Sequence, residues 1–365
     1  DKLLKYISGL FCDYEGEFCV AGHFRADIFV LCTSFDDKQE LIDIVNSIKS
    51  RIDQYNIQCK VLPAFGICIN HNNMDVSLMC DYADLAIKKI KGKVFKTYEF
   101  YDNAMRESML LEKKIENDVL PALKNDYIKA YVQPKVDMHN GHIIGGEALV
   151  RWQHPKRGLI FPGDFIEVFE RTGLIYRLDK FVWELAVKKL AQWQTDGLNS
   201  LYISINISTK DFYYMDVYET ITSLVEKYHI IPSTLKLEIT ETALMTGTSG
   251  ELDIIQQFRQ YGFQVEIDDF GSGYSSLNTL KDMDVDVIKI DMGFLRTTKP
   301  DRLKKSMSIL NTIIALTKTL GLAVITEGVE TKEQVAELTH MGCKVYQGYY
   351  FSKPIPIKQF EDTYL

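Results

Sequence analysis

Residues 235–270 read LKLEITETALMTGTSGELDIIQQFRQYGFQVEIDDF, and this stretch decides the fold class of the chain. It opens with a short apolar run at 235–240 and closes with another at 263–270. The more polar segment between them has the length and the apolar spacing of an amphipathic helix. A strand, a helix and a second strand in this order form the unit from which helix-covered parallel sheets are built.

The same alternation of strands and helices runs from residue 130 to the C-terminus. Apolar runs predict eight strands, at 130–136, 144–152, 201–207, 235–240, 263–270, 285–290, 323–327 and 345–350. Eight strands that mostly alternate with helices over about 240 residues match the usual size of a (β/α)8 barrel. The alternative is an open doubly wound sheet, but no glycine-rich phosphate loop follows the first strand. We therefore predict an α/β protein with a (β/α)8 TIM-like barrel at residues 125–365.

The first hundred residues have the pattern of a separate, small α/β domain, predicted at 1–100. Helix-like and strand-like spacings occur there at 3–10, 27–32, 61–69 and 79–91. A charged helical segment at 101–124 is expected to connect the two domains. Its predicted apolar face consists of Leu110, Leu111, Ile115, Leu120 and Leu123.

Composition argues against two classes of partner. The net charge is −8, so no overall basic field attracts nucleic acid or anionic lipid, and we expect no DNA binding. The most apolar stretch, 309–325, is interrupted by Asn311, Lys318 and Gly321. It is therefore predicted to be a helix leading into a strand, and no membrane segment is expected in this chain.

Cysteine usage indicates a reducing compartment. The chain has 7 cysteines, an odd number, and no two of them have C-x-x-C spacing. Six lie in the first quarter of the chain in apolar surroundings, so we expect buried thiols rather than disulfides or metal ligands. No signal peptide is visible, and a cytoplasmic location is predicted. The chain begins at Asp1 without a methionine, which is also consistent with the cytoplasmic part of a longer protein.

Polar side chains recur where the predicted barrel strands end. One acid at a strand end is usually a solvated residue, but this explanation weakens when seven successive strands share the feature. These residues are Glu147, Asn206, Glu238, Asp268 with Asp269, Lys289, Glu327 and Gln347. The carboxyl ends of barrel strands converge on one face, where active sites are built. We therefore predict an active site there.

The acids in this set predict a metal site. Clustered carboxylates without cations would repel one another strongly in a partly desolvated cleft. Oxygen ligands favour Mg²⁺ or Mn²⁺, and no group of His or Cys competes for zinc or copper. If the chain turns at the strand end, Asp268 and Asp269 both reach the site and serve paired ions, which activate water for attack at phosphorus. Lys289, flanked by Ile288 and Ile290, is predicted to orient the attacking group or to stabilise transition-state charge.

At these residues the chain resembles the EAL-domain family of c-di-GMP phosphodiesterases, from about residue 111 to the C-terminus. The namesake triplet is Glu147-Ala148-Leu149. The other matching motifs are QP at 133–134, EITE at 238–241, DDFGSGYSSL at 268–277, KID at 289–291, EGVET at 327–331 and QGY at 347–349. A lone EAL triplet would carry no information, whereas this ordered set is specific.

The resemblance implies hydrolysis of c-di-GMP to 5′-pGpG with two Mg²⁺ or Mn²⁺ ions per active site. The residues that would hold one ion are Glu147, Asn206, Glu238 and Asp268. Those that would hold the other are Asp268, Asp269 and Glu327. Lys289 would contact the nucleophilic water, and Glu330 and Gln347 would support the water and the ligand shell.

The resemblance also assigns residues to the substrate and to a loop. Gln133 and Arg151 would contact the dinucleotide, since a guanidinium can donate two hydrogen bonds to a phosphate. The segment 270–277 would be a mobile loop beside the metals, and Glu241 would hold it in place. A homodimer interface of the barrel domain is expected next to this loop.

A second resemblance covers residues 1 to about 98, which are similar to the later part of a GGDEF (diguanylate cyclase) domain. The segment 24–29 lies where the signature loop is expected, and 80–86 resembles the final helix. Arg25 and Ala26 replace the two glycines that let the backbone approach a phosphate, and Ile28 replaces the acid. We therefore predict an inactive, N-terminally incomplete GGDEF-like domain that regulates or covers the barrel.

Two other functions remain compatible with these residues. A non-catalytic receptor would bind c-di-GMP and signal through a partner. A metal phosphodiesterase could also act on another nucleotide, because the metal ligands by themselves do not select c-di-GMP.

Overall fold

The computed structural model describes residues 2–55, 61–70, 74–93, 95–246, 249–271, 285–291, 293 and 300–365. The chain forms two compact units, Asp1–Lys114 and Ile115–Leu365. Each unit contains its own cluster of buried apolar side chains. The helix α4 contributes to both units, because it continues across residues 114 and 115.

The first unit contains two small sheets. Its elements are α1 Lys2–Cys12, β1 Cys19–Arg25, β2 Ile28–Thr33, α2 Lys38–Asp53, β3 Phe65–Ile67, α3 Val76–Ile90, β4 Tyr98–Phe100 and the start of α4 Asn103–Lys124. Strands β1 and β2 are antiparallel, whereas β3 and β4 are parallel and are joined through α3. Ala26 has φ 44° in the turn of the β1–β2 hairpin. This left-handed conformation favours glycine, and it lies in the segment that resembles the GGDEF signature loop.

The prediction that the cysteines of the first unit are buried is wrong, because two of the five described there are exposed and the other three are only partly buried. Cys12 and Cys32 are exposed, and Cys343 of the second unit is buried. Phe29 and Leu31 of β2 pack against the core that α1 helps to form. Cys32 is exposed because successive strand residues point to opposite faces of the sheet. Cys59 lies outside the described residues.

The apolar face predicted for the connecting helix is also wrong in part. Leu110, Leu111 and Leu120 are exposed, and the buried residues of α4 are Ile115, Val119 and Ala122. Spacings of four and three residues place these three side chains on one stripe of the helix. Leu120 follows Val119 directly and therefore points about 100° away from that stripe.

The second unit is a closed barrel, which confirms the predicted (β/α)8 TIM-like fold. Its strands are β5 Ile128–Asp137, β6 His142–His154, β7 Gly158–Ile160, β8 Tyr202–Ile207, β9 Leu235–Thr240, β10 Gln264–Phe270, β11 Val287–Ile290, β12 Ala323–Thr326, β13 Val345–Tyr346 and β14 Ile355–Pro356. The barrel order is β5-β6-β8-β9-β10-β11-β12-β13, and β13 pairs with β5 to close it. Strands β7 and β14 extend the sheet at β6 and β5.

One barrel strand runs against the other seven. Strand β5 is antiparallel to both of its barrel neighbours, β6 and β13, while the other neighbouring pairs are parallel. Residues 138–141 between β5 and β6 are too few for a crossover helix, so these strands form a hairpin. The residues of β5 therefore progress away from the face where the other seven strands end.

Helices cover the outside of the barrel. They are α5 Ile166–Thr172, α6 Ile175–Thr195, α7 Asp211–Tyr214, α8 Val217–Tyr228, α9 Glu241–Thr246, α10 Ser249–Tyr261, α11 Pro300–Thr319, α12 Lys332–Met341 and α13 Ile357–Tyr364. Outward-facing strand residues such as Ile205, Leu237 and Ile267 are buried in the same apolar cluster as helix residues such as Trp183 and Phe258. The alternate strand residues therefore point into the barrel, where the polar groups lie. Within the described part of the chain, no helix combines the length and the apolar character needed to cross a bilayer.

Candidate active site

The strands bring the predicted polar residues to one end of the barrel. Asn206 on β8 lies beside Glu238 on β9, and the amide nitrogen of Asn206 donates a 2.8 Å hydrogen bond to Oε1 of Glu147 on β6. Glu238 in turn pairs with Glu266, two residues before Asp268 on β10. Sheet register thus places side chains from four neighbouring strands in one cluster.

Carboxylates form two overlapping groups in this cluster. Glu147, Glu238 and Asp268 each offer one oxygen atom, and these atoms all lie within 4.8 Å of one another. Asp268, Asp269 and Glu327 form a second group that meets the same limit. Asp268 belongs to both groups, which is the arrangement expected of a carboxylate shared by two metal ions.

Asp268 and Asp269 face the same site because the backbone changes direction at the end of β10. Asp269 has φ 53°, in the left-handed region, and its backbone N–H donates a 3.0 Å hydrogen bond to Oδ1 of Asp268. The pairing of β10 with β11 shifts register between Ile267 and Phe270. This irregularity breaks the usual alternation of successive side chains. Both carboxylates therefore reach the site, as the sequence analysis predicts for a chain that turns at the strand end.

Lys289 lies at the centre of the carboxylates and is not a surface lysine. Its side chain is 1% exposed, and its Nζ lies 2.9 Å from Asp268 and 2.7 Å from Glu327. The ammonium also donates to Glu238 and lies 3.5 Å from Glu147. Burial by itself would lower the pKa of Lys289, but these four carboxylates raise it well above its usual range.

The protonation of the carboxylates depends on how many cations each one contacts. Burial and the neighbouring Glu238 raise the pKa of Glu147 to about 7. Burial also raises the pKa of Glu327 well above its usual range, although Lys289 opposes this effect. Burial opposes ionisation of Glu238 as well, but Lys135 and Lys289 outweigh it and lower the pKa of that carboxyl.

The predicted substrate residues lie against this cluster. The amide nitrogen of Gln347 donates to Oε2 of Glu147 at 2.6 Å and to Oε1 of Gln133 at 3.2 Å. Oε1 of Gln347 is buried without a hydrogen-bond partner. The guanidinium of Arg151 lies 5.7 Å from the ring centre of Tyr131 and 5.8 Å from that of Phe161.

The two remaining predicted residues, Glu241 and Glu330, lie in different surroundings. Oε2 of Glu241 accepts a 2.9 Å hydrogen bond from the backbone N–H of Gly271, at the start of the predicted loop. The rest of that loop, 272–277, lies outside the described residues. Glu330 is exposed, and its backbone N–H donates to Gln334. Among the described residues, no hydrogen bond or ion pair joins the Glu330 carboxylate to the cluster.

Sequence reasoning missed two sets of residues around the site. Tyr131 and Phe161 flank Arg151, and Lys135 contacts Glu238 from inside the barrel. A signal for Lys135 was present, because it lies two residues after Gln133 in an apolar strand and therefore on the same face. The same spacing applies to Tyr131, two residues before Gln133 on β5, whereas Phe161 lies just after β7 and only the fold brings it to Arg151.

Comparison with known proteins identifies the family. A family model described as the EAL domain matches residues 116–354, which is most of the second unit. The chain belongs to the EAL-domain family. Its glutamate at 147 thus opens the triplet from which this family takes its name.

Curated relatives of this EAL-domain chain are described by similar activities. It is 32% identical over 339 residues to MucR of Pseudomonas aeruginosa, described as a bifunctional diguanylate cyclase and cyclic di-GMP phosphodiesterase. That match covers 91% of this chain and 49% of MucR. It is 34% identical over 251 residues to the cyclic di-GMP phosphodiesterase RocR of Pseudomonas aeruginosa, covering 67% of this chain and 62% of RocR. The chain thus spans about half to three fifths of these relatives.

Solved EAL-domain structures resemble the barrel. The PaMucR phosphodiesterase in complex with c-di-GMP is 36% identical, with a TM-score of 0.64. This match covers 68% of this chain and 99% of that structure's chain. The EAL enzyme Bd1971, in a form that binds cAMP and cyclic-di-GMP, is 27% identical over 92% of this chain, with a TM-score of 0.66.

Proposed function

We propose that this EAL-domain protein is a c-di-GMP phosphodiesterase that opens the cyclic dinucleotide to 5′-pGpG. The observation that carries the proposal is the pair of carboxylate groups that share Asp268 at one end of the barrel. Named relatives act on cyclic di-GMP, and the PaMucR structure contains it. Both facts support c-di-GMP as the substrate.

The donor atoms fit two hard divalent ions. We assign one ion to Glu147, Asn206, Glu238 and Asp268, and the other to Asp268, Asp269 and Glu327. All of these ligands offer oxygen atoms, which suits Mg²⁺ or Mn²⁺. When bound, two such ions activate water and neutralise phosphate oxygens during in-line displacement. Lys289 supplies a single positive charge among these acids, so negative charge remains for the ions to balance.

The protein's own residues supply orientation. Lys289 lies within hydrogen-bonding distance of ligands from both carboxylate groups, and its ammonium can therefore donate to a water held between them. Gln347 holds Glu147 and Gln133 together, and its unpartnered Oε1 can accept from the substrate or from a water. These contacts support positioning of the nucleophile before the reaction.

Arg151 is the cation best placed for a substrate phosphate. Burial lowers the pKa of Arg151, yet a guanidinium stays charged at physiological pH. The guanidinium lies near the rings of Tyr131 and Phe161. A guanidinium can donate two parallel hydrogen bonds to one phosphate. Gln133 lies on the same strand as Tyr131 and would contact the dinucleotide beside it.

Four finer assignments are part of the proposal. The first unit would be an inactive GGDEF-like domain that regulates the barrel. The barrel would form a homodimer beside the loop that Glu241 anchors, and the protein would act in the cytoplasm. A catalytic role for Glu330 stays a prediction, to be tested by Glu330→Gln. Sedimentation velocity tests the dimer, because a monomer at all concentrations contradicts it.

The direct test is chromatography of c-di-GMP incubated with the protein in Mg²⁺, Mn²⁺ or EDTA. We expect pGpG with either metal and none with EDTA. Glu147→Ala and Asp268→Asn should abolish turnover, while Glu337→Ala, on the exposed face of α12, should not. Turnover that persists in both active-site variants contradicts the two-metal assignment.

The same assay separates the alternatives. Intact c-di-GMP in every condition, together with binding measured by calorimetry, would identify a receptor instead of an enzyme. A panel of cAMP, c-di-AMP and pGpG tests selectivity. Faster hydrolysis of one of these compounds would assign the site to a different phosphoester.

A further inference from the structure

Lys135 is a fully buried lysine inside the barrel, below the carboxylate cluster. Its side chain is 0% exposed. Its Nζ donates to Oγ of Ser204 at 2.8 Å, to Oε1 of Glu238 at 2.7 Å and to Oε2 of Glu266 at 2.7 Å. An ammonium group has three protons, and here each proton has an acceptor on a different strand.

The register of the barrel explains why this layer lies beneath the active site. Ser204 and Glu266 each precede a residue of the carboxylate cluster by two positions, on β8 and β10. They therefore face the barrel interior one layer deeper than Asn206 and Asp268. Strand β5 runs in the opposite direction, so Lys135 lies deeper than Gln133 although it comes later in the chain.

Glu238 is held from both layers at once. Its Oε1 accepts from Lys135, and its Oε2 accepts from Lys289 on the site side. Turning the carboxylate out of its present plane would break the bond to Lys135, whereas a half-turn only exchanges two equivalent oxygens. One oxygen is therefore assigned to the deep layer, and the other is presented to the cluster.

Stability alone does not explain the buried charges. Two charges removed from water lose solvation that their attraction often fails to restore, so apolar side chains of similar volume would serve a stable core as well. Glu266 is also completely buried, and its Oε1 lies 3.4 Å from Nζ of Lys236. This network contacts Glu238 from the deeper layer of the barrel. The contact indicates that the network orients the Glu238 carboxylate.

We propose that Lys135 is a positioning residue that holds the Glu238 carboxylate in the orientation that presents one oxygen to the metal ions. The inference rests on the proposed function, in which Glu238 is a metal ligand. Lys135 acts through Glu238 and touches neither substrate nor reacting atoms. Partners that orient metal ligands typically contribute about 10–100-fold to metal affinity.

The test is calorimetric titration of Mn²⁺ into the full chain carrying Lys135→Met with Glu266→Gln. The paired change removes Lys135 and Glu266 together, so neither of these two buried charges is left without the other. We expect the Kd for Mn²⁺ to rise by about tenfold or more. Half-maximal hydrolysis should need correspondingly more Mn²⁺, while the KM for c-di-GMP at saturating Mn²⁺ stays unchanged. The matched control is Lys227→Met with Glu184→Gln, a surface pair joined at 3.0 Å, which should bind Mn²⁺ like the wild type.

A second variant, Lys135→Arg, tests the role of Lys135 even if the double variant does not fold. Lys135→Arg keeps the positive charge, but its planar fork does not match three acceptors arranged around an ammonium. Lys135→Arg should also raise the Kd for Mn²⁺. A purely electrostatic role of Lys135 would not require this change, because the charge is kept. An unchanged Kd in a folded double variant or in Lys135→Arg overturns the role of Lys135 but leaves the proposed metal site standing. Wild-type protein that fails to bind Mn²⁺ overturns the proposed metal site itself.

Discussion

Single buried side chains determine the charge state of the site. Lys289 contacts four carboxylates, and three of these belong to the group proposed to hold the first ion. A divalent ion that binds there competes with Lys289 for the same oxygen atoms. Lys289 thus stabilises the acids in this structure, and in the proposed function a bound ion would leave its ammonium free to donate to the attacking water.

Replacing this lysine should separate metal binding from turnover. Lys289→Met removes the cation that competes for the carboxylates, so Mn²⁺ should bind at least as tightly as to the wild type. The rate of c-di-GMP hydrolysis should fall about 10²–10³-fold, the usual effect of removing one donor to developing charge. Calorimetry and the pGpG assay measure the two effects. Loss of Mn²⁺ binding would contradict this role, and Lys188→Met, on the exposed side of α6, is the control.

A carboxyl pair outside the site predicts a pH dependence of stability. Asp211 is completely buried, and burial raises its pKa to about 6, with Asp179 and Glu170 as its acidic neighbours. An unfolded aspartate has a pKa of about 3.9, so the folded state binds the proton more tightly between these values. Stability should therefore fall as pH rises from about 4 to about 6, and the loss persists at higher pH.

Asp211→Asn removes this ionisation and keeps an acceptor for the backbone N–H of Ser208. It should stabilise the barrel by about 1–3 kcal/mol at pH 8 and by less at pH 5. All three tryptophans, Trp152, Trp183 and Trp193, belong to the barrel unit, so thermal melting followed by tryptophan fluorescence reports on it. If Asp211→Asn changes the stability by the same amount at both pH values, Asp211 does not bind a proton near pH 6.

Among the elements, the ends of β12 and β13 meet at unusually close range. A Cβ atom added to Gly348 would lie 2.2 Å from the carbonyl oxygen of Val329 and 2.3 Å from its nitrogen. The backbone N–H of Val329 also donates to the carbonyl of Gln347. This contact sets the spacing between the segment that carries Glu327 and the one that carries Gln347.

Gly348→Ala should therefore separate these two segments. We expect a loss of about 1–3 kcal/mol of stability, the usual cost of overpacking a buried site. Hydrolysis should fall as well, because Gln347 and Glu327 move apart. Gly163→Ala is the matched control, since a Cβ atom there meets nothing within 4 Å. Similar melting temperatures and rates for the two variants would contradict the importance of this contact.

At the scale of the whole molecule, the barrel unit includes half of the connecting helix. Ile115, Val119 and Ala122 of α4 pack in one cluster with Trp152 and Phe165. The predicted barrel boundary at residue 125 would remove all of these helix residues. The connector is thus part of the folded unit that carries the site.

Two fragments test this division. A fragment of residues 103–365 keeps α4 and should hydrolyse c-di-GMP with Mn²⁺ or Mg²⁺. A fragment of residues 125–365 exposes the apolar surface around Trp152 and should melt at a lower temperature or aggregate. Equal melting temperatures would show that α4 does not stabilise the barrel.

The amino-acid sequence by itself determined the barrel, its eight strands and the acids at their ends. These features depend on the periodicity of neighbouring residues, which the chain carries locally. The same local pattern led to the wrong face of α4, because exposure depends on what a helix packs against. It also placed Lys289 correctly as a buried residue of the site, since an apolar strand surrounds it on both sides.

Only the tertiary structure decided the partners of Lys289 and the layer below the site. Lys289 and Glu147 are 142 positions apart, and Lys135 and Glu266 are 131 apart. No spacing rule reaches over such distances, because these contacts exist only when the sheet closes on itself. Closure also sets the register between strands, and register decides which charges meet inside the barrel.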